Sequence, residues 1–285
     1  MTIEKVAVIG AGVMGNGIAQ VCAFGGFSVN LMDVSGEVLQ RSMKMIEQNL
    51  QKGVERGKLE SEQKTSALAR LTCVTDLKEA VCDAGLVIEA VSEDLNLKQE
   101  VFSRLDNYCP EHTCLASNTS AISITEIAAA TNRPDRVIGL HFFNPVHLMK
   151  LVEIVCGLET SDQTFQACES ACRQMGKETV KINESPGFVT TRINALIGNE
   201  AFHMLQEGLA TPADIDKAVK LGLNHPMGPF EMVDLVGLDT RLKILEYLHQ
   251  TLGEKYRPAP MLVRYVKAGR LGRKTGKGVY HYNDK

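Results

Sequence analysis

The sequence lacks the features that would direct the chain to nucleic acid or to a membrane. It has 31 Lys and Arg against 34 Asp and Glu, and a formal charge of -3 gives no general attraction for nucleic acid or an anionic membrane. No apolar stretch reaches the roughly 18 residues of a membrane span, and no signal-peptide pattern is seen. We therefore expect a cytoplasmic protein without a nucleic-acid or membrane partner.

The eight cysteines include no C-x-x-C pair. Cys22, Cys73 and Cys114 lie inside apolar runs, so we expect reduced thiols in the core and no disulfides. Cys168 and Cys172 are four residues apart and can share a helix face, but no His or Cys stands nearby at a spacing suited to a metal. The sequence predicts no metal site.

What the sequence does contain is a regular alternation of short β-branched runs and longer helical patterns. The runs cover residues 6–9, 28–32, 71–74, 86–90, 113–117, 137–140, 151–155 and 179–182. Such an alternation predicts an α/β fold with a doubly wound, largely parallel sheet and helices on both faces.

The connection between residues 33 and 71 is much longer than the 10 to 12 residues or so that a crossover needs, and it is rich in helix formers and charges. We interpret residues 35–70 as a helical hairpin inserted in the first domain, projecting from the sheet and centred on residues 52–58.

Strand signals stop near residue 185, which divides a domain of residues 1–184 from an all-helical domain of residues 185–285. Thr211 offers an N-cap followed by Pro212, Gly228-Pro229 opens another helix, and Asp239 is expected to cap a third that ends near Gly253. By fold analogy alone, the helical domain is expected to form a homodimer.

A G-x-G-x-x-G motif directly follows the first strand and opens a helix. Gly10 permits the tight turn, Gly12 lets the backbone approach a pyrophosphate, and Gly15 lets the helix pack closely. Asp33 ends the second strand, where a carboxylate accepts hydrogen bonds from the adenosine ribose and repels a 2′-phosphate. The pattern predicts a Rossmann-type domain that binds NAD in preference to NADP, with loop contacts from Gly10, Gly12, Val13, Met14 and Gly15.

Two polar segments follow the fifth and sixth strands, at the edge of the sheet where ligands bind in open α/β folds: residues 117–120 and 141–145. Glu153 lies in an apolar strand row, and an unpaired carboxylate there would cost several kcal/mol by rough estimate. His141, twelve residues earlier, is its natural partner. Together with a nucleotide site, the two match a general base and its orienting acid, with Ser120 as a hydroxyl donor.

With these motifs the chain resembles the L-3-hydroxyacyl-CoA dehydrogenase family, and among its members the short bacterial 3-hydroxybutyryl-CoA dehydrogenases. The resemblance covers nearly the whole chain. Besides the glycine loop and Asp33, it rests on residues 89–94, 116–120, 139–145, 185–188, 225–231, 236–239 and 274–278.

The resemblance implies roles for individual residues in the oxidation of a 3-hydroxyacyl-CoA by NAD, in fatty acid β-oxidation or butanoate metabolism. His141 would be the general base, Glu153 would hold its imidazole, and Ser120 would bind the reacting oxygen. Further cofactor contacts would come from Glu93, Lys98, Asn118, Ser120, Asn144 and Lys274. Asn49 and Arg56, in the hairpin, would contact coenzyme A.

Two relatives of the same fold class give alternative functions. One is an L-gulonate dehydrogenase, which acts on a free sugar acid, and the other is a non-catalytic NAD-binding crystallin of the lens. The hairpin favours a coenzyme A ester over a free acid, and the presence of His141, Glu153 and Ser120 together favours an enzyme.

The chain departs from the family pattern at Thr191. Where the family commonly has an Asn in Pro-Gly-Phe-x-x-Asn-Arg, this chain has Thr191 before Arg192. A hydroxyl can donate one hydrogen bond to a substrate oxygen, but it lacks an amide's reach and its two donors.

If the Thr191 hydroxyl contacts substrate, Thr191→Val should lower kcat/KM by the value of one hydrogen bond, about 0.5 to 1.5 kcal/mol, with the fold intact. Steady-state kinetics of the two proteins test this. Unchanged kinetics would show that position 191 has no contact with substrate in this chain.

Overall fold

The structure, a computed structural model, describes residues 3–282 and divides into two compact units. Unit 1 ends at Ser185, and unit 2 begins at Pro186. In this described part of the chain, no helix has both the length and the apolar character needed to cross a membrane.

Unit 1 is built on an eight-stranded sheet. Its strands are β1 (Lys5–Ile9), β2 (Ser28–Met32), β3 (Leu71–Val74), β4 (Leu86–Glu89), β5 (Cys114–Ser117), β6 (Val137–Phe142), β7 (Leu151–Cys156) and β8 (Glu178–Asn183). The order across the sheet is β3-β2-β1-β4-β5-β6-β7-β8, and only β6 and β7 pair antiparallel. The prediction of a doubly wound, largely parallel sheet is confirmed.

The central strands are short apolar runs because helices cover both faces of a parallel sheet. All four residues of β4 and of β5 are buried. The helices of unit 1 are α1 (Val13–Phe24), α2 (Gly36–Glu55), α3 (Ser61–Ala69), α4 (Leu77–Val81), α5 (Leu95–Tyr108), α6 (Ile124–Ala128) and α7 (Asp162–Gln174), with a 3-10 turn at Pro134–Arg136.

The helical hairpin is formed by α2 and α3. Ser35 caps α2 by accepting the Val38 N–H at 3.4 Å, and Gln63 accepts the Glu60 N–H at 2.9 Å at the start of α3. Two details of the expectation were wrong. The turn lies at residues 56–60 instead of 52–58, and the hairpin packs on α1 instead of projecting, with Ile46 and Leu50 buried in the unit's core.

Helices make up most of unit 2. They are α8 (Thr190–Gln206), α9 (Pro212–Gly222), α10 (Pro229–Val236), α11 (Leu238–Leu252) and α12 (Pro260–Lys267), with 3-10 turns at Glu254–Tyr256 and Arg273–Thr275. Their core contains Phe202 and Phe230, whose rings meet edge to face at 5.2 Å.

The helix caps predicted for unit 2 are present except at α11. Thr211 caps α9 by accepting the Asp214 N–H at 3.2 Å, and Pro212 is the first helical residue, as predicted. Asp239, however, does not cap α11. Gly237 is the N-cap, and Asp239 lies in the first turn. There its negative charge still interacts favourably with the positive end of the helix dipole.

The C-terminal segment of unit 2 is held by buried Asp234. Its carboxylate accepts hydrogen bonds from the Val279 N–H (2.8 Å), the Tyr280 N–H (2.9 Å) and the Tyr282 hydroxyl (2.9 Å). Partial burial of the ring, together with the Asp234 carboxylate beside it, raises the pKa of the Tyr282 phenol to about 12. A side chain at Gly278 would overlap the Asp234 carboxylate.

All eight cysteines are free thiols, but they are not all in the core. Cys22 and Cys114 are buried as expected, and Cys168 and Cys172 are both buried on α7. Burial raises the pKa of the Cys172 thiol to about 12. The expectation was wrong for Cys73, which is exposed because β3 is the outer strand of the sheet and is covered on fewer sides.

Asp234→Ala should lower the free energy of unfolding by about 3 kcal/mol, because two backbone donors and a hydroxyl lose a buried acceptor. Urea denaturation measures the change. Tyr282→Phe removes one of the three hydrogen bonds and should cost about 1 kcal/mol. Equal stabilities of Asp234→Ala and wild type would show that the carboxylate does not hold this segment.

Candidate active site

The glycine loop has the shape that a dinucleotide requires. Gly10 has φ of +95°, and a Cβ there would lie 2.8 Å from the Ala90 carbonyl oxygen. A Cβ at Gly15 would overlap the Gly10 carbonyl, whereas one at Gly12 would meet no atom within 4 Å. The loop is therefore closed toward the sheet and open at Gly12.

The N-terminus of α1 is open to an anion. Gly12 is its N-cap without a side-chain hydrogen bond, and no acidic residue lies in the first turn. The unpaired N–H groups and the helix dipole favour a phosphate at this point. Val13 and Met14 are the first two residues of the helix.

Asp33 ties the loop to the end of β2. Its Oδ2 accepts the Ala11 N–H at 2.9 Å, and its Oδ1 accepts the Ser35 N–H at 3.0 Å. Each carboxylate oxygen has a further lone pair that can accept from a ribose hydroxyl. The loop, the helix end and Asp33 together fit NAD.

His141 and Glu153 meet across the antiparallel strands β6 and β7. They are direct partners in the register, and His141 Nδ1 lies 2.7 Å from Glu153 Oε2. Glu153 is fully buried, and His141 is 8% exposed. The strand β6 runs to Phe142, so His141 lies inside the strand and not after it as the sequence suggested. The predicted partnership of the two side chains is present.

A second buried carboxylate, Glu89, lies at the end of β4. Lys98 Nζ donates to both of its oxygens, at 2.8 and 2.9 Å, and both side chains are fully buried. The Ser117 hydroxyl donates to Oε2 at 2.7 Å. The sequence prediction missed Glu89 and Ser117 as parts of this cluster. The sequence could have indicated Glu89, because it is a carboxylate in an apolar strand just as Glu153 is.

Glu93 connects this buried pair to Ser120. Its Oε2 lies 3.6 Å from Lys98 Nζ, and its Oε1 accepts the Thr119 hydroxyl at 2.6 Å. Ser120 donates to the same oxygen through its N–H (2.9 Å) and its hydroxyl (3.2 Å). Glu93 is exposed, whereas Lys98 is enclosed beneath it. The Lys98 ammonium is thus engaged with two carboxylates and not presented at the surface.

Asn118 and Asn144 complete the carboxyl edge. Asn118 follows β5, and its Oδ1 accepts the Phe142 N–H at 2.9 Å, which joins the ends of β5 and β6. Asn144 is exposed, two residues beyond β6. The structure thus places Asn118, Ser120, His141 and Asn144 on neighbouring strand ends.

The remaining predicted residues lie on α2 and in unit 2. On α2, Asn49 donates to Gln20 Oε1 at 3.3 Å, and Arg56 is exposed at the C-cap. In unit 2, Thr191 is partly buried in the first turn of α8, and Lys274 forms an ion pair with Asp239 at 2.6 Å.

Comparison with known proteins accounts for both units. The profile of the 3-hydroxyacyl-CoA dehydrogenase NAD binding domain matches residues 5–185, and that of the 3-hydroxyacyl-CoA dehydrogenase C-terminal domain matches residues 187–282. A probable 3-hydroxybutyryl-CoA dehydrogenase of Bacillus subtilis is 48% identical, over 100% of this chain and 99% of its own length. The mitochondrial hydroxyacyl-coenzyme A dehydrogenase of the rat is 44% identical, over 98% of this chain and 91% of its own.

A solved structure gives the same result. The (S)-3-hydroxybutyryl-CoA dehydrogenase of Ralstonia eutropha superimposes with a TM-score of 0.96 at 45% sequence identity, covering 99% of this chain and 100% of its own. The resemblance seen in the sequence is confirmed, and the chain belongs to the 3-hydroxyacyl-CoA dehydrogenase family.

Proposed function

We propose that the protein oxidises (S)-3-hydroxybutyryl-CoA, or a similar (S)-3-hydroxyacyl-CoA, to the 3-ketoacyl-CoA with NAD and catalyses the reverse reduction. The contact of His141 with Glu153 at 2.7 Å carries the proposal, because an imidazole oriented by a carboxylate at the carboxyl edge of a dinucleotide domain is suited to act as a base. The family membership and the relatives named above support the substrate class.

His141 acts as the general base in this proposal. The Glu153 carboxylate accepts a hydrogen bond from Nδ1–H, which fixes the tautomer and leaves the lone pair on Nε2. Nε2 can then take the proton of the 3-hydroxyl, and the buried anion stabilises the imidazolium that forms. NAD supplies the hydride acceptor. In the reverse direction the imidazolium returns the proton.

Ser120 and Glu93 would orient the reacting oxygen. The Ser120 hydroxyl donates to Glu93 Oε1 at 3.2 Å. By rotation it can donate to the reacting oxygen instead, as the 3-hydroxyl directs its one hydrogen to His141 and a bound ketone has none. Lys98 compensates the charge of Glu89 and Glu93 from beneath. Lys98 thus supports the cofactor side of the site through Glu93.

A coenzyme A ester also explains the hairpin. Asn49 and Arg56 would contact the coenzyme A moiety, with Arg56 exposed and able to meet a phosphate. A free sugar acid has no group for this element, so activity on acetoacetyl-CoA and none on L-gulonate separates the two substrate classes. A non-catalytic crystallin-like protein would have neither activity.

We infer a cytoplasmic homodimer joined through unit 2, acting in fatty acid β-oxidation or butanoate metabolism. Large apolar side chains exposed on unit 2 support the dimer, since such surface is commonly covered in an assembly. They include Leu209 (67% exposed), Leu221 (76%) and Leu223 (67%).

Asp33→Ala should weaken NAD binding and narrow the preference over NADP, since it removes hydrogen bonds to the ribose and repulsion of a 2′-phosphate together. Fluorescence titration with NADH and NADPH measures both effects. Asp33→Asn is the matched variant, because its amide retains the size and one acceptor. Equal use of NADPH and NADH by the wild type would contradict this role.

His141→Gln and Glu153→Gln should each reduce kcat by about two orders of magnitude or more with much smaller changes in KM, because acid–base catalysis typically contributes 10² to 10⁴-fold. The double variant should be little worse than His141→Gln, since the two side chains act as one unit. Steady-state kinetics with NADH and acetoacetyl-CoA measure this.

Glu178→Gln on β8 is the control, because it makes the same change at an exposed position of the same sheet. Its kcat should equal that of the wild type. A near-normal kcat for Glu153→Gln, or losses that multiply in the double variant, would remove Glu153 from the mechanism.

A further inference from the structure

Helix α2 carries several exposed bases on one face. One face, with spacings of four, four, three and four residues, carries Arg41, Met45, Asn49, Lys52 and Arg56. At about 3.6 residues per turn, these positions lie on one side of the helix. Three of the five are bases, and all three are exposed. Among residues 3–282, no side-chain hydrogen bond or ion pair engages any of these bases.

Two of the three acids of α2 lie toward α3. Glu47 lies 3.8 Å from Lys64 on α3, and Glu55 accepts a hydrogen bond from Gln51 at 3.2 Å. Gln51 in turn accepts from Lys64 at 2.9 Å, so these side chains lie on the side of α2 that faces α3. The third acid, Glu37, lies four residues before Arg41 and forms no ion pair with it in the described structure, so the three bases of this face outnumber its one acid.

The basic face borders a cleft of about 290 Å³ between α1 and α2. Arg41 lines this cleft together with Gly12 and Val13, the first residues of α1. Asn16 on α1 donates to the Ser42 carbonyl at 2.8 Å and joins the two helices there. Val13 (64% exposed) and Met45 (48% exposed) give the opening an apolar rim. The cleft thus combines the open N-terminus of α1 with a guanidinium.

We propose that Arg41 binds the diphosphate of a nucleotide in this cleft. A diphosphate carries two negative charges, and the N–H groups at the start of α1 satisfy some of its oxygens with only a partial charge. The planar guanidinium of Arg41 supplies a full charge and paired donors to the others. No other base lines the cleft with Gly12 in the described structure.

Two ligands of this enzyme carry such a diphosphate, NAD and coenzyme A. NAD would place it at Gly12. Coenzyme A would follow the basic face of α2 from Arg41 to Arg56. The assignment to coenzyme A rests on the function proposed above. The chemistry that Arg41 recognises is the same for both, and binding measurements distinguish them.

The test compares Arg41→Gln with Lys44→Gln. Lys44 is an exposed base on the same helix, three residues further along and off the basic face, so both variants lose one positive charge from α2. Three quantities are measured: the Kd of NADH by fluorescence titration, the KM of acetoacetyl-CoA, and the KM of acetoacetyl-pantetheine, which has no nucleotide.

Arg41→Gln should raise the Kd of NADH or the KM of acetoacetyl-CoA by about tenfold or more, because a charge-assisted hydrogen bond is lost. Lys44→Gln should leave both near their wild-type values. A raised NADH Kd assigns Arg41 to the cofactor. A raised KM for acetoacetyl-CoA, with that for acetoacetyl-pantetheine unchanged, assigns it to coenzyme A. Arg41→Lys should restore part of the lost affinity.

If Arg41→Gln alters neither the NADH Kd nor the acetoacetyl-CoA KM beyond the Lys44→Gln control, the proposal is overturned. A wild-type protein that does not reduce acetoacetyl-CoA would instead overturn the proposed function. The NADH titration would then decide the role of Arg41 by itself, because it needs no turnover.

Discussion

Strand β7 runs antiparallel to β6 while every other neighbouring pair in the sheet is parallel, and this reversal sets His141 directly opposite Glu153. Directly opposed residues of an antiparallel pair project to the same face, with their Cβ atoms about 5 Å apart. That separation suits a hydrogen bond between an imidazole and a carboxylate. A slip of one residue would turn Glu153 to the opposite face of the sheet. The contact between His141 and Glu153 thus depends on the register of two strands.

The same sheet buries a second carboxylate, and the two are compensated differently. Glu89 is held by the Lys98 ammonium, by a Ser117 hydroxyl and by the Val91 N–H at 2.6 Å, so every oxygen has strong donors. Glu153 meets the imidazole of His141 at 2.7 Å. Glu89 is thus held by three donor groups of the fold, whereas Glu153 orients the ring that we propose as the base.

The strands could be predicted from the sequence within one or two residues, because parallel strands covered on both faces are short apolar runs. The contact of His141 with Glu153 was predictable for a related reason, since a carboxylate in an apolar row requires a partner. The enclosure of Lys98 under Glu93 could not be predicted, because it depends on the placement of α5 against β4 and on no local pattern.

Two other predictions were wrong because they also depend on tertiary contacts. The exposure of Cys73 depends on β3 being the sheet edge, and the packing of α2 and α3 on α1 depends on contacts far apart in sequence. The prediction that Asp239 caps α11 was wrong for a local reason. Gly237 has φ of +103°, so the helix could begin directly after it and leave Asp239 in the first turn.

The distribution of thiols has a practical consequence for spectroscopy. Cys73 and Cys82 are exposed, and five of the other cysteines are buried, with Cys156 partly so. Cys73 lies on β3, separated from β5 and β6 by β2, β1 and β4. Maleimide dyes should therefore attach first at these two thiols, on the native sequence. Cys73 pairs with Leu31 in the register, two residues before Asp33, so a fluorophore or spin label at Cys73 reports from beside the end of β2.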